Sequence, residues 1–154
     1  MTEKNHKIIS QISINASIAQ VWEFLMSEEK MKNWFEADEF LIDVSEGGKI
    51  KIPLTISGEE CVIEGEIGLI LPQEKFVFTW IERDKHGDAW FNNTTVTIAL
   101  EEIKNGTKFT LIHDGFKYLP EEIFHEVYDR YQAYWHDGNL IARFSELVSK
   151  QNCE

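Results

Sequence analysis

Through the middle of the chain, apolar side chains recur at every second residue, and this alternation limits the possible folds more than any other feature. Ile50, Ile52, Leu54 and Ile56 fall on one face, and Cys61, Ile63, Gly65, Ile67 and Leu69 do the same after Ser57–Gly58. Phe76, Phe78 and Trp80 follow, then Val96, Ile98 and Leu100, then Phe109, Leu111 and His113. Successive side chains of a strand point to opposite faces, so each stretch has one face for a core and one for solvent, as an antiparallel sheet permits. Turn residues punctuate the series: Glu46–Gly47–Gly48, Pro72, and Asn105–Gly106, a strong hairpin signal. With the β-branched run at residues 8–14 and Phe40, Ile42 and Val44, about six or seven strands are expected.

The apolar face of such a sheet needs a cover, and the remaining segments have helical periodicity. Ser17 is placed to cap a helix carrying Val21, Trp22, Leu25 and Met26, and a second short helix is expected from about Glu28 to Trp34. Near the end, Pro120 suits a first helical position and Glu121 and Glu122 suit the positive end of the helix dipole. From there one long helix is predicted almost to the C-terminus, with Phe124, Val127, Tyr128, Tyr131, Tyr134, Trp135, Ile141, Ala142 and Val148 on its apolar face and Gly138 in its middle. The expectation is an α+β fold, a single domain over residues 1–154, with a curved sheet wrapped around its final helix.

Composition narrows the partners. With 27 acidic and 15 basic residues, the formal charge of −12 disfavours nucleic acid and anionic membrane surfaces. No apolar run approaches the ~20 residues of a membrane span, and the polar start of the chain does not resemble a signal peptide. Cys61 and Cys153 are expected to be free thiols, which fits a cytoplasmic location.

Several segments, in this order and spacing, resemble the START-like (SRPBCC) superfamily and, within it, homologues of the activator of the heat-shock-protein-90 ATPase. They are Ser17–Ile18–Ala19–Gln20–Val21–Trp22, Trp34, Gly47–Gly48, Pro72–Gln73–Glu74–Lys75–Phe76–Val77–Phe78–Thr79–Trp80, Gly106–Thr107–Lys108–Phe109–Thr110–Leu111 and His113–Asp114–Gly115–Phe116. The resemblance spans roughly residues 8–148. It implies a helix-grip fold, in which many members hold an elongated apolar cavity between sheet and C-terminal helix. Relatives bind lipids, sterols, polyketides or phenolics, and a minority are cyclases. One departure is that Gly138 is followed by Asn139 where the family pattern has a Gly-Trp pair.

The chain carries 10 Phe, 5 Trp and 4 Tyr, a generous stock of large rings. Trp34, Phe78, Trp80, Phe116, Tyr128, Tyr131 and Trp135 are expected to converge between sheet and helix, where they either fill the core or line a cavity. A glycine at Gly138 costs ~1 kcal/mol relative to alanine and leaves a gap on the inward face. Trp90 and Phe91, beside the charged tip formed by residues 82–88, suit either a lid or a packed strand edge. His113 is in phase with Phe109 and Leu111 and is expected to point inward, as a satisfied core histidine or as the polar contact of a ligand. Glu82 is in phase with Trp80 but is placed at the rim, in water.

His-Asp-Gly occurs at His113 and again at His136, without the spacing of a metal site, and no nucleophile motif or phosphate loop is present. No catalytic residue, metal or cofactor is therefore assigned. The expected function is binding of a small apolar or aromatic molecule, as carrier or sensor, by a monomer or weak homodimer. The alternatives are a chaperone-accessory module, which the resemblance alone suggests, and a cyclase-like enzyme using His113 or Glu82.

Overall fold

The computed structural model describes residues 7–37, 39–56, 58–90, 93–137 and 140–150. Strand β1 (Ile8–Ile14) is followed by helices α1 (Ile18–Leu25) and α2 (Glu28–Phe35). Strands β2 (Leu41–Ile42), β3 (Lys49–Ile56), β4 (Glu59–Leu71), β5 (Lys75–Asp84), β6 (Thr94–Ile103) and β7 (Gly106–Asp114) come next. They form one seven-stranded sheet in the order β1-β7-β6-β5-β4-β3-β2, with every pair antiparallel. A 3-10 turn (Phe116–Tyr118) leads into α3 (Glu121–Gln132), a π-helical segment (Ala133–Asp137) and α4 (Leu140–Lys150).

Local chemistry explains the element boundaries. Ser17 closes a capping box on α1, its hydroxyl accepting from the Gln20 amide at 3.2 Å while the Gln20 side chain accepts from the Ser17 amide at 3.1 Å. A register shift between Ile67 and Leu69 puts a bulge in β4, which bends the strand. The β6–β7 turn differs by one residue from the expected Asn105–Gly106: Gly106 already pairs with Ile103, and Lys104 and Asn105 form the turn with Asn105 at φ 68°. Gly106 is needed for another reason, since a Cβ there would lie 2.2 Å from the Ile14 carbonyl oxygen.

The inward faces match the alternation, with Phe76, Phe78, Trp80, Val96, Ile98, Phe109, Leu111 and His113 all buried. Helix α4 packs on β1, α1 and α2, with Phe144 inserted among Phe24 at 4.9 Å, Trp34 at 4.7 Å and Phe109 at 4.6 Å between ring centroids. The C-terminal helical region differs from the predicted unbroken helix, because the π segment interrupts the 3.6-residue repeat. Of the α4 positions assigned to the apolar face, Ile141 and Val148 are buried and Ala142 is exposed, while Phe144, which was not assigned, is buried. No helix among the described residues is long and apolar enough to cross a membrane.

Candidate functional site

His113 sits near the end of β7, enclosed by the rings of Phe116 (4.5 Å), Tyr131 (5.2 Å), Trp80 (5.5 Å) and Trp135 (6.0 Å). The Trp135 indole N–H donates to its Nδ1 at 3.1 Å, so that nitrogen must present a lone pair. Nε2 then carries the proton and donates to Thr94 Oγ1 at 2.7 Å, and the Thr94 hydroxyl donates to the Trp80 carbonyl at 2.6 Å. Both ring nitrogens are thus occupied within the protein, and burial drives the histidine pKa down to about 3. In this arrangement the imidazole is neutral and works as a cross-link among β5, β6, β7 and the π segment.

A second polar chain starts from the same tryptophan. The Trp80 indole donates to Tyr131 Oη at 2.8 Å, Tyr131 donates to Glu82 Oε1 at 2.8 Å, and Arg130 Nη2 meets Glu82 Oε2 at 2.9 Å. Glu82 is only 7% exposed, which corrects its expected place at the rim in water. The reason lies in α3: it brings Arg130 and Tyr131 over the end of β5, so the carboxylate exchanges water for a cation and a hydroxyl. Burial, with the Glu82 charge, holds the Tyr131 phenol well above its ordinary pKa. Arg130 Nε and Nη1 are buried without a hydrogen-bond partner among the described residues.

The other expected ligand residues pack in and around this core. Trp34 is fully buried and donates its indole N–H to the Leu140 carbonyl at 2.7 Å, and Phe78 lies between Phe76 and Trp80. Tyr128 is half-buried, stacks on Phe124 and accepts from Gln132 at 2.9 Å. Trp90 is half-buried edge-to-face on Tyr131 at 5.6 Å, with its backbone N–H donating to the Glu82 carbonyl at 3.2 Å. Gly138, Asn139 and Phe91 lie outside the described residues.

A cavity lies elsewhere, between the outer end of the sheet and the C-terminal helices. It has a volume of about 860 Å³ and is bounded by Phe35 and Ala37 after α2, by Pro53, Leu54 and Thr55 of β3, and by Cys61 and Val62 of β4. Ala133, Tyr134 and Leu140 close the helical side, and Glu36, Glu60, Asp84 and Lys85 stand at its exposed margin. The nine described residues among those expected from sequence are not among these; Trp80, Phe116, Tyr131 and Trp135 pack instead around His113. Tyr134 was legible on the helical wheel and Pro53 as a proline inside a strand, yet only the fold joins them. Strand β2 pairs with β3 only at Ile50 and Lys51, so the missing N–H of Pro53 falls on an unpaired edge.

The cavity offers no activated nucleophile. Burial, with the Glu82 charge, pushes the Cys61 thiol up to about 12, so it remains a thiol at neutral pH. Burial likewise raises the Tyr134 phenol, helped by the nearby Cys61 and Glu36. No group of His, Cys, Asp and Glu suited to a metal ion occurs among the described residues. The arrangement can bury an apolar body and offer it neutral donors.

The model of the family described as Activator of Hsp90 ATPase homolog 1-like protein matches residues 15–137. The chain belongs to that family. None of the curated proteins matches it by sequence. Among solved structures, protein NE0264 from Nitrosomonas europaea superimposes with a TM-score of 0.74 at 15% identity, covering 100% of both chains. Protein BH1534 from Bacillus halodurans gives 0.65 at 26% identity, covering 93% of this chain and 96% of that one. DynU16, from the dynemicin biosynthetic locus, gives 0.68 at 14% identity, covering 93% of this chain and 47% of its own. The sheet order, the two short helices after β1 and the C-terminal helices over the sheet are those of the START-like helix-grip fold.

Proposed function

We propose that this protein binds a small, mainly apolar molecule in the cavity bounded by β3, β4, the end of α2 and the π segment, as carrier or sensor. The observation that carries the proposal is the cavity itself. Its volume of about 860 Å³ is within the ~300–1,000 Å³ common for small-molecule sites, and Phe35, Leu54, Val62, Tyr134 and Leu140 give it an apolar side beside a polar, charged margin. Burying ~200 Å² of apolar ligand surface contributes about 5 kcal/mol before the costs of association. The family description keeps a chaperone-accessory role as the second reading, and direct binding to the purified chaperone measures it.

The test is a panel of lipids, polyketide-like and phenolic compounds, followed by thermal shift and amide chemical-shift perturbation. Perturbations are expected at Leu54, Cys61 and Tyr134 rather than at His113. Thr55→Trp, at an exposed strand position on the cavity wall, is expected to weaken binding at least tenfold with an unchanged melting temperature. A panel that perturbs no cavity residue overturns the proposal.

A further inference from the structure

We infer that the occupant of this cavity carries a protonated amine on its apolar body; this deepens the proposal above and rests on it. The inference comes from the charges at the cavity margin. Glu36, Glu60 and Asp84 line it, and Lys85 is the one basic side chain among the described lining residues. Asp84 is fixed in place by the amides of His86 and Asp88, which donate to its Oδ1 at 2.9 and 3.0 Å. Those bonds also keep its carboxyl ionised below the usual carboxylate range. Glu36 meets Arg143 at 3.7 Å, an exposed and loose pair. Other nearby cations are already matched, Arg83 by Glu64 at 3.0 Å and Arg130 by Glu82 at 2.9 Å.

Behind this margin the described lining residues hold no charge to receive an anion. Their polar side chains are the Thr55 hydroxyl, the Cys61 thiol and the Tyr134 phenol, and the last two are protonated at neutral pH. A carboxylate ligand would leave water to face three carboxylates against the single ammonium of Lys85, on a chain whose formal charge is already −12. An ammonium gains from the same field. The matching occupant is a ring-bearing amine with its ring system inside and its ammonium at the acidic margin.

A matched series separates charge from apolar burial: 1-naphthylmethylamine, 1-naphthylmethanol and 1-naphthoic acid, titrated at pH 7 against the full chain by amide chemical-shift perturbation. The amine is expected to bind roughly tenfold tighter than the acid at low salt, with the alcohol between them and the spread narrowing at high salt. Glu60→Gln, at an exposed position, is expected to lower amine affinity about threefold and leave the alcohol unchanged. Equal binding of all three, or preference for the acid, overturns the amine inference while leaving apolar binding in place. If none of the three perturbs the cavity, both proposals fall.

Discussion

The indole of Trp135 donates to the Nδ1 of His113 across 3.1 Å, joining the π segment to β7 and fixing the histidine in its Nε2-protonated, neutral form. A proton added at Nδ1 would have to point at the Trp135 N–H. The fold therefore accommodates His113 only while it is uncharged.

Acid should destabilise the protein through this residue. The folded pKa of about 3 lies below the ordinary 6.5, so the unfolded chain takes up the proton first as pH falls. The contribution of His113 is complete above pH 6.5 and is lost progressively between 6.5 and 3, at up to ~1.4 kcal/mol per pH unit. Urea denaturation from pH 7 to pH 4 is expected to show a steeper loss for the wild-type protein than for His113→Gln, which is less stable at pH 7 but lacks this titration. Parallel curves for the two proteins would contradict the assignment.

Thr94 is the second anchor of the same chain of hydrogen bonds. Thr94→Val keeps the shape but strands the His113 Nε2–H and removes the donor to the Trp80 carbonyl. A loss of about 1–3 kcal/mol in unfolding free energy is expected. Near-ultraviolet circular dichroism should change as well, since Trp80 and Trp135 flank the site.

The Glu82–Arg130 pair lends itself to a double-mutant cycle. Removing either charge leaves the other buried, and Arg130→Met alone should cost about 3–5 kcal/mol. Adding Glu82→Gln to Arg130→Met should recover part of that loss, because no uncompensated charge remains while Tyr131 keeps an acceptor. Chemical denaturation of the two single variants and the double variant measures the coupling; simple additivity would mean that the pair is not energetically linked.

Much of the architecture could be read from local pattern. Ile50 to Ile56, Phe76 to Trp80 and Phe109 to His113 announce their faces, because a strand's period of two is insensitive to what lies across the sheet. The Ser17 cap was legible because Ser17 and Gln20 are three residues apart and satisfy each other. Glu82 was misplaced because its burial depends on Arg130 and Tyr131, which come from a distant helix. Phe144 was missed because the rings it packs on, Phe24, Trp34 and Phe109, come from elements distant in the chain.

The sequence by itself determined the antiparallel sheet, the short helices, the apolar cover and the family, since these follow from periodicity, capping and the order of short motifs. Only the tertiary structure decided which rings become solid core and where space remains. Trp80, His113, Tyr131 and Trp135 meet in the middle of the sheet and use one another's polar groups. Beyond the two-residue β2, the far edge of β3 is uncovered, and the end of α2 and the π segment bridge over it without filling the gap. Whether two buried rings touch or enclose a cavity depends on distances set by the whole sheet, and residue type does not encode them.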